Sequence, residues 1–242
     1  MKKTLIFEEN FQNQTTLNPD IWNYDIGDKW HNNESQCYVE DANNLFIKDG
    51  ILNIKATLND SDTCRYKSAR INTFKKKHFQ YGTFVFTAKM PKGRGAWPAI
   101  WMLGADRSKD LRWPKCGEID IVEFAGNRPL KASCAIHTAT YNHRIDTDKG
   151  VRYDLLSATD QFHDYILDWT KDHLIFKVDD KEVFRVEKEN GDTENEWPFD
   201  KPYDLIINLA VGGWYGGKIH DEDLPYLFQI KSIKVYSNED TV

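Results

Sequence analysis

Apolar residues recur at every second position through most of the chain, and Gly, Asn, Asp and Pro interrupt them. A period of two is the strand period, because successive side chains of an extended backbone point to opposite faces. Residues 45–47 and 51–56 flank Lys48-Asp49-Gly50, which predicts a hairpin closed by an Asp-Gly turn. Over 82–90, Phe84, Phe86, Ala88 and Met90 are expected on one face and Thr83, Val85, Thr87 and Lys89 on the other. Residues 162–169, 174–178 and 183–186, separated by Lys171-Asp172-His173 and Asp179-Asp180-Lys181, read as a three-strand meander with Trp169 in the core. The nearly continuous apolar run 205–211 predicts a central strand covered on both faces. Residues 228–236 predict a last strand, 187–196 a polar loop and 238–242 a short tail. No long 3.6-period segment, repeat or linker interrupts this pattern. The expectation is one all-β domain over 1–242, built of two packed antiparallel sheets.

Composition narrows the partners. The 242 residues are 40% hydrophobic, enough for one sizeable core, and carry a formal charge of −6. An acidic chain is a poor partner for nucleic-acid backbones. No apolar run approaches the ~20 residues of a membrane helix. The N-terminus begins like a signal peptide, but its apolar run is short and Glu8-Glu9 follow. The chain is therefore expected either to be intracellular or to have lost a leader. Cys37, Cys64, Cys116 and Cys134 have no CxxC spacing, which argues against zinc. Free thiols are the expectation, with a Cys37–Cys64 pair left open. Eight Trp, 11 Tyr and 13 Phe supply flat surfaces that can build a core or stack on sugar rings.

The candidate chemistry lies in Glu118-Ile119-Asp120-Ile121-Val122-Glu123, where three carboxylates interleave with three β-branched residues. On a strand, Glu118 and Asp120 share a face, and Glu123 would point away. One extra residue around Ile121-Val122, a β-bulge, would return it to that face. The two glutamates would then stand roughly 13 Å apart at Cα, at ~3.3 Å per residue. Each side chain leans in by roughly 4 Å. That leaves about 5 Å between carboxyl groups, the separation of about 5–5.5 Å found in retaining glycosidases. A solvated strand face is the plainer alternative, but like charges on one face repel and need a reason.

From these residues the chain resembles glycoside hydrolase family 16, most of all its laminarinases. The resemblance extends to Ala96-Trp97-Pro98-Ala99-Ile100-Trp101-Met102-Leu103-Gly104, to Trp113-Pro114-Lys115-Cys116-Gly117, and to 32–38, 68–71 and 208–214, in the family's order. It implies a β-jelly roll, concanavalin A-like, with two curved antiparallel sheets and an open substrate cleft. It implies a retaining endo-β-1,3-glucanase acting on laminarin-like β-glucan, mixed β-1,3-1,4 glucan included, without a cofactor. It also implies a monomer outside the cytoplasm, extracellular or periplasmic. By carry-over Glu118 is the nucleophile, Glu123 the acid/base and Asp120 the assisting carboxylate. Three crowded acids cannot all ionise freely, so one or more raised pKa values are expected, and a raised value on Glu123 would keep it protonated near neutrality. The resemblance places Asn33, Arg70, Trp97, Trp101, Trp113, His137 and Trp214 along the cleft as substrate contacts, with core packing the alternative for the tryptophans.

The family's structural calcium is expected to be lost, because Asn10 and Lys231 stand where its acids belong. Asp146-Thr147-Asp148-Lys149-Gly150 opens like a calcium loop, but Ser157 replaces the closing Glu, so a surface turn is expected. Other readings on the same fold are a non-catalytic glucan-binding lectin, a galactan (agar or carrageenan) hydrolase and a glucan transglycosylase. The lectin would have no use for three aligned acids. Sulfated galactans favour a basic cleft, and Lys75-Lys76-Lys77 is the basic run found, read as a solvated turn.

Overall fold

Alternation of apolar and polar residues produces extended chain almost throughout residues 3–61, 63–108 and 111–237, which the computed structural model describes. The tail expected over 238–242 lies outside them. In chain order the first strands are β1 (Thr4–Glu9), β2 (Asn23–Tyr24), β3 (Gln36–Tyr38), β4 (Leu45–Lys48), β5 (Ile51–Leu58), β6 (Tyr66–Ser68), β7 (Arg70–Asn72) and β8 (Gly82–Lys89). Then come β9 (Ala96–Gly104), β10 (Glu118–Phe124), β11 (Lys131–His137), β12 (Lys149–Asp154), β13 (His163–Trp169), β14 (His173–Val178) and β15 (Lys181–Glu187). β16 (Tyr203–Val211) and β17 (Tyr226–Ser237) close the fold.

The local expectations hold. Asp49 and Gly50 take φ of 53° and 70°, the left-handed pair that an Asp-Gly hairpin turn requires, and join β4 to β5. The meander is β13–β14–β15, and Trp169 is fully buried, its indole N–H donating to the Phe199 carbonyl. β16 is buried along its whole length between β9 and β7.

Two sheets result. The larger runs β15-β14-β13-β8-β17-β5-β6-β3, with β1 on β17 and β4 on β5; the smaller runs β12-β11-β10-β9-β16-β7-β2. Between them lies one apolar cluster that includes Phe84 and Phe86 of β8, Ile100 and Met102 of β9, Ile119 and Phe124 of β10, and Ile207 of β16. The opposite face of the smaller sheet is free to carry polar groups. Among the described residues no helix is long and apolar enough to cross a membrane.

One expectation fails. Cys37 and Cys64 are joined in a disulfide, with Cα atoms 5.7 Å apart, so free thiols remain only at the buried Cys116 and Cys134. The parallel pairing of β3 with β6 sets 36–38 beside 66–68 and brings the two cysteines together. That contact between distant strands is invisible to local pattern.

Candidate active site

β10 carries the bulge. Against β11 its register shifts between Asp120 and Glu123, and against β9 between Asp120 and Val122. The extra residue lets both Ile121 and Val122 enter the core, where they are 3% and 0% exposed, while Glu123 turns back beside Asp120. Antiparallel partners share a face. One row across the sheet therefore reads Arg152, Ser133, Glu123, Ala99, Asn208, Arg70, and a second reads His137, Glu118, Leu103, Asp204. Ala99, Ala135 and Gly150 are small, and their size leaves an open floor beside the acids.

All three carboxylates line a cleft that crosses the sheet. The half over β9, β16 and β7 is a hollow of about 400 Å³ walled by Trp30, Trp101, Trp113, Arg70 and Glu34. The half over β11 and β12 holds about 410 Å³ and is walled by Ser133, Asp148, Arg152, Trp214 and Tyr215. Glu118, Asp120, Glu123 and His143 belong to both.

The electrostatics follow from crowding acids in a poorly solvated place. Burial pushes the Glu123 carboxyl up to about 8, helped by the Asp120 charge and opposed by the Trp97 indole N–H, which donates to Glu123 Oε1 at 2.9 Å. Burial raises Glu118 well above the usual carboxylate range too, with Asp120 adding to it and His137 opposing. Burial alone would lower His137. Its contact with Asp120 Oδ2 at 3.3 Å and the three nearby carboxylates overcome that and lift it to about 9. His137 is thus an imidazolium at neutral pH, 3.8 Å from Glu118 Oε1. Atoms of Glu118, Asp120 and His137 lie within 4.8 Å of one another, a set that could ligate a metal.

The sequence model described as glycosyl hydrolases family 16 matches residues 12–226. The chain belongs to that family. It is 36% identical to a beta-glucanase of Rhodothermus marinus, over 96% of this chain and 84% of that one. Among solved structures it superimposes on the laminarinase of R. marinus with a TM-score of 0.93 and 34% identity, covering 98% of each chain. The laminarinase of Flavobacterium sp. UMI-01 gives 0.90 and 39%, covering 97% of this chain and 100% of that one. The two sheets are thus the family-16 jelly roll.

Within this family-16 cleft the expected contact residues fare differently. Arg70 lies between Trp30 and Trp101, its guanidinium carbon 5.2 and 4.9 Å from the two ring centroids, and donates to Asp25 Oδ2 at 2.8 Å. Trp101 lines the cleft and is fixed by its indole N–H to Asn208 Oδ1 at 2.7 Å. Trp113 faces the cleft under Arg144, whose guanidinium carbon is 4.5 Å from its ring. Trp214 stands 54% exposed at the rim. It is placed there by Gly212-Gly213 after β16; a side chain on Gly213 would meet the Asn32 carbonyl and the Trp97 ring at 2.9 and 3.0 Å.

Two expectations change. Trp97 reaches the cleft but is only 6% exposed, packed under Trp214 and Tyr215, so its main contact is Glu123 rather than open solvent. Asn33 is exposed on the turn, and Asn32 lines both halves of the cleft instead, its carbonyl accepting from Trp214 N. Asp148, read as part of a surface turn, also lines the cleft.

Several cleft residues escaped sequence reasoning, among them Ser133, Arg152 and Tyr215 of the polar half as well as Trp30, Glu34 and His143. Trp30 could have been found as an aromatic near the 32–38 block. Glu34 lay inside that block; burial raises its pKa, and its Oε2 accepts from Gln36 Nε2 at 2.8 Å. His143 gave no local signal at all.

Proposed function

We propose that the protein is an endo-acting, retaining β-glucanase that hydrolyses internal β-1,3 bonds, with mixed β-1,3-1,4 glucan also admitted, in laminarin-like polysaccharides. The observation that carries this reading is the bulge, which sets three acids on the floor of a cleft crossing the sheet. Its relatives named beta-glucanase and laminarinase support the substrate class.

Glu118 attacks the anomeric carbon while Glu123 gives its proton to the departing glycosidic oxygen. The C–O bond breaks, a glycosyl ester forms on Glu118, and the leaving chain departs with a new hydroxyl. Water then enters, Glu123 takes its proton, and the ester opens with net retention. A carboxyl with a pKa near 8 holds its proton at neutral pH, which is what the first step needs. Asp120, held by His137, lies between the two glutamates in sequence and assists. The aromatic walls Trp30, Trp101 and Trp113 stack on sugar faces, and Arg70, Asn208 and Glu34 bond hydroxyls.

The chain acts without a cofactor. Asn10 is exposed, and Lys231 is exposed beside the register shift of β17, so an amide and an ammonium stand where a calcium ion would need acids. These groups do not fit a divalent cation; a Tm raised by calcium and restored by EDTA would overturn that. The protein works as a monomer outside the cytoplasm.

The test is Glu118→Ala together with the stereochemistry of the wild type. Release of oligosaccharide from laminarin should be lost in E118A with the fold intact, and NMR of the wild-type reaction should show the β-anomer first. A wild-type rate in E118A, or early α-anomer, would refute the assignment.

A further inference from the structure

Apart from the main core lies a second, small apolar cluster in which Trp97, Ala125, Ala210 and Tyr215 are buried. Trp97 is on β9 opposite Ala210 of β16, two residues from Ala99, which stands opposite Glu123. Its ring is wedged. Tyr215 lies tilted against it at 5.2 Å between centroids, and Trp214 meets it edge-on at 5.9 Å. The chain passes so close that a side chain on Gly213 would come to 3.0 Å of the ring, and one on Gly216 to 3.2 Å of Trp97 Cβ. The helical turn that presses on the indole, Gly213–Gly216, is itself tied down. Asn127 Nδ2 donates to the Gly216 carbonyl, Arg128 Nη2 donates to the Tyr215 carbonyl at 3.1 Å, and the Tyr215 and Ser133 hydroxyls share a hydrogen bond. The indole nitrogen therefore has a fixed place.

That nitrogen meets the acid: Trp97 Nε1 donates to Glu123 Oε1 at 2.9 Å. An indole N–H only donates, so the oxygen it meets must accept. Of the two oxygens of a neutral carboxylic acid, the carbonyl oxygen is the better acceptor and the hydroxyl oxygen the worse. The neutral acid is therefore held with Oε1 as its carbonyl and its proton on Oε2. The same bond keeps the carboxyl from spinning, since the last torsion of a Glu side chain is otherwise broad. When the proton leaves, negative charge develops on the carboxylate, and the N–H is already aimed at one of its oxygens.

We infer that Trp97 is a positioning residue that, by holding Glu123 Oε1, makes Oε2 the oxygen that delivers the proton to the departing glycosidic oxygen. The inference rests on the glucanase reading above and deepens it, naming the residue that orients the acid. It also gives a purpose to a tryptophan that is only 6% exposed and offers a sugar little of its face. The bond is one of several influences on Glu123. Burial and the Asp120 charge raise its pKa, whereas Trp97, His137 of β11 and Arg152 of β12 lower it. Trp97 acts through a hydrogen bond, and His137 and Arg152 act through charge. Glu118 on the same strand, His143 and Asp148 of the loop before β12, and Tyr215 line the same hollow.

The experiment compares Trp97→Phe with the wild type, as the purified full chain, on two substrates. One is a β-1,3-linked glucose pentaose, whose leaving sugar needs a proton; the other is a dinitrophenyl β-laminaribioside, whose leaving phenolate does not. On both, kcat/KM reports the steps up to cleavage of the glycosidic bond. On the pentaose it should fall about tenfold in W97F, the size of one hydrogen bond to a developing charge. On the dinitrophenyl glycoside it should stay within about twofold of wild type. The pH at which activity on the pentaose declines should also move up, because Glu123 loses a donor that favours its ionised form. Equal losses on the two substrates, no loss on either, or an unmoved alkaline limb would overturn the inference, since a tryptophan that only packs or only touches sugar gives one of these. A second measurement leaves position 97 untouched. By NMR with isotopically labelled indoles, one N–H signal should titrate along with the alkaline limb in the wild type and cease to do so in Glu123→Gln. If no indole signal titrates, the inference falls as well. Wild-type enzyme that cleaves neither substrate would instead bring down the glucanase reading itself, so the two failures are distinguishable.

Discussion

Two acidic centres share one face of the smaller sheet, and both Glu118 and Asp204 stand opposite Leu103 of β9. Their environments differ in one respect. Asp204 is fully buried as a single acid with a guanidinium and an imidazole beside it, accepting from His78 Nδ1 and from the Arg107 guanidinium, which also lies 4.0 Å over the Phe74 ring. The Glu118–Asp120–Glu123 group has three carboxylates and one close histidine, with Arg70 and Arg152 further off. Where positive charge matches negative charge, a buried acid becomes a structural tie. Where it falls short, the acids rise in pKa and keep protons to exchange. The same sheet therefore holds an inert acid and a reactive group two strands apart, and the balance of neighbours distinguishes them.

The sharpest way to break this contrast is Glu123→Gln. It removes the transferable proton, so kcat/KM on laminarin should fall by about 10²–10⁴. In the wild type, activity should decline as pH rises through about 8, where Glu123 loses that proton. Persistence of full activity to pH 10 would rule Glu123 out as the acid. The next effect is on stability and concerns the other centre. Arg107→Ala leaves Asp204 buried with one partner fewer, and urea unfolding should show a loss of about 3–5 kcal/mol. An R107A protein as stable as wild type would show that the compensation does not matter. The smallest effect has the opposite sign. The folded pKa of Glu123 lies above its ordinary 4.5, so the stability it contributes is full below about 4.5 and is lost as pH rises through about 8. Glu123→Gln escapes that loss. Its Tm should exceed that of the wild type by a few degrees at pH 8–9, and the gain should shrink toward pH 5. A Tm difference independent of pH would mean that Glu123 titrates normally.

Much of this was legible in the chain because it is contiguous. The acids, the extra residue between them and the β-branched residues that pull the bulge into the core all lie within 118–123. The strands were legible for the same reason, since period two is a local property. What escaped was non-local. Cys37 meets Cys64 through a strand pairing, and Asp204 finds Arg107 and His78 across loops, with nothing in their neighbourhoods to announce it. Asn33 and Asn32 both take positive φ on one turn, and only the backbone path decides which one faces the cleft. Trp97 was expected as a sugar platform, but the helical turn after β16 lays Tyr215 and Trp214 over it and leaves its indole N–H for Glu123.

Parity on β10 changes at the bulge: even-numbered side chains face the sugar before it, odd-numbered ones after it. On β11 no such reversal occurs, and Ser133, Ala135 and His137 keep step throughout. Shortening β10 by one residue between Asp120 and Glu123 would therefore straighten the strand rather than scatter the acids. All three would still project the same way, at the cost of one aliphatic side chain between the sheets. The catalytic face and the hydrophobic layer are tuned separately by a single insertion, and evolution could adjust the grip on the sugar without rebuilding the interior.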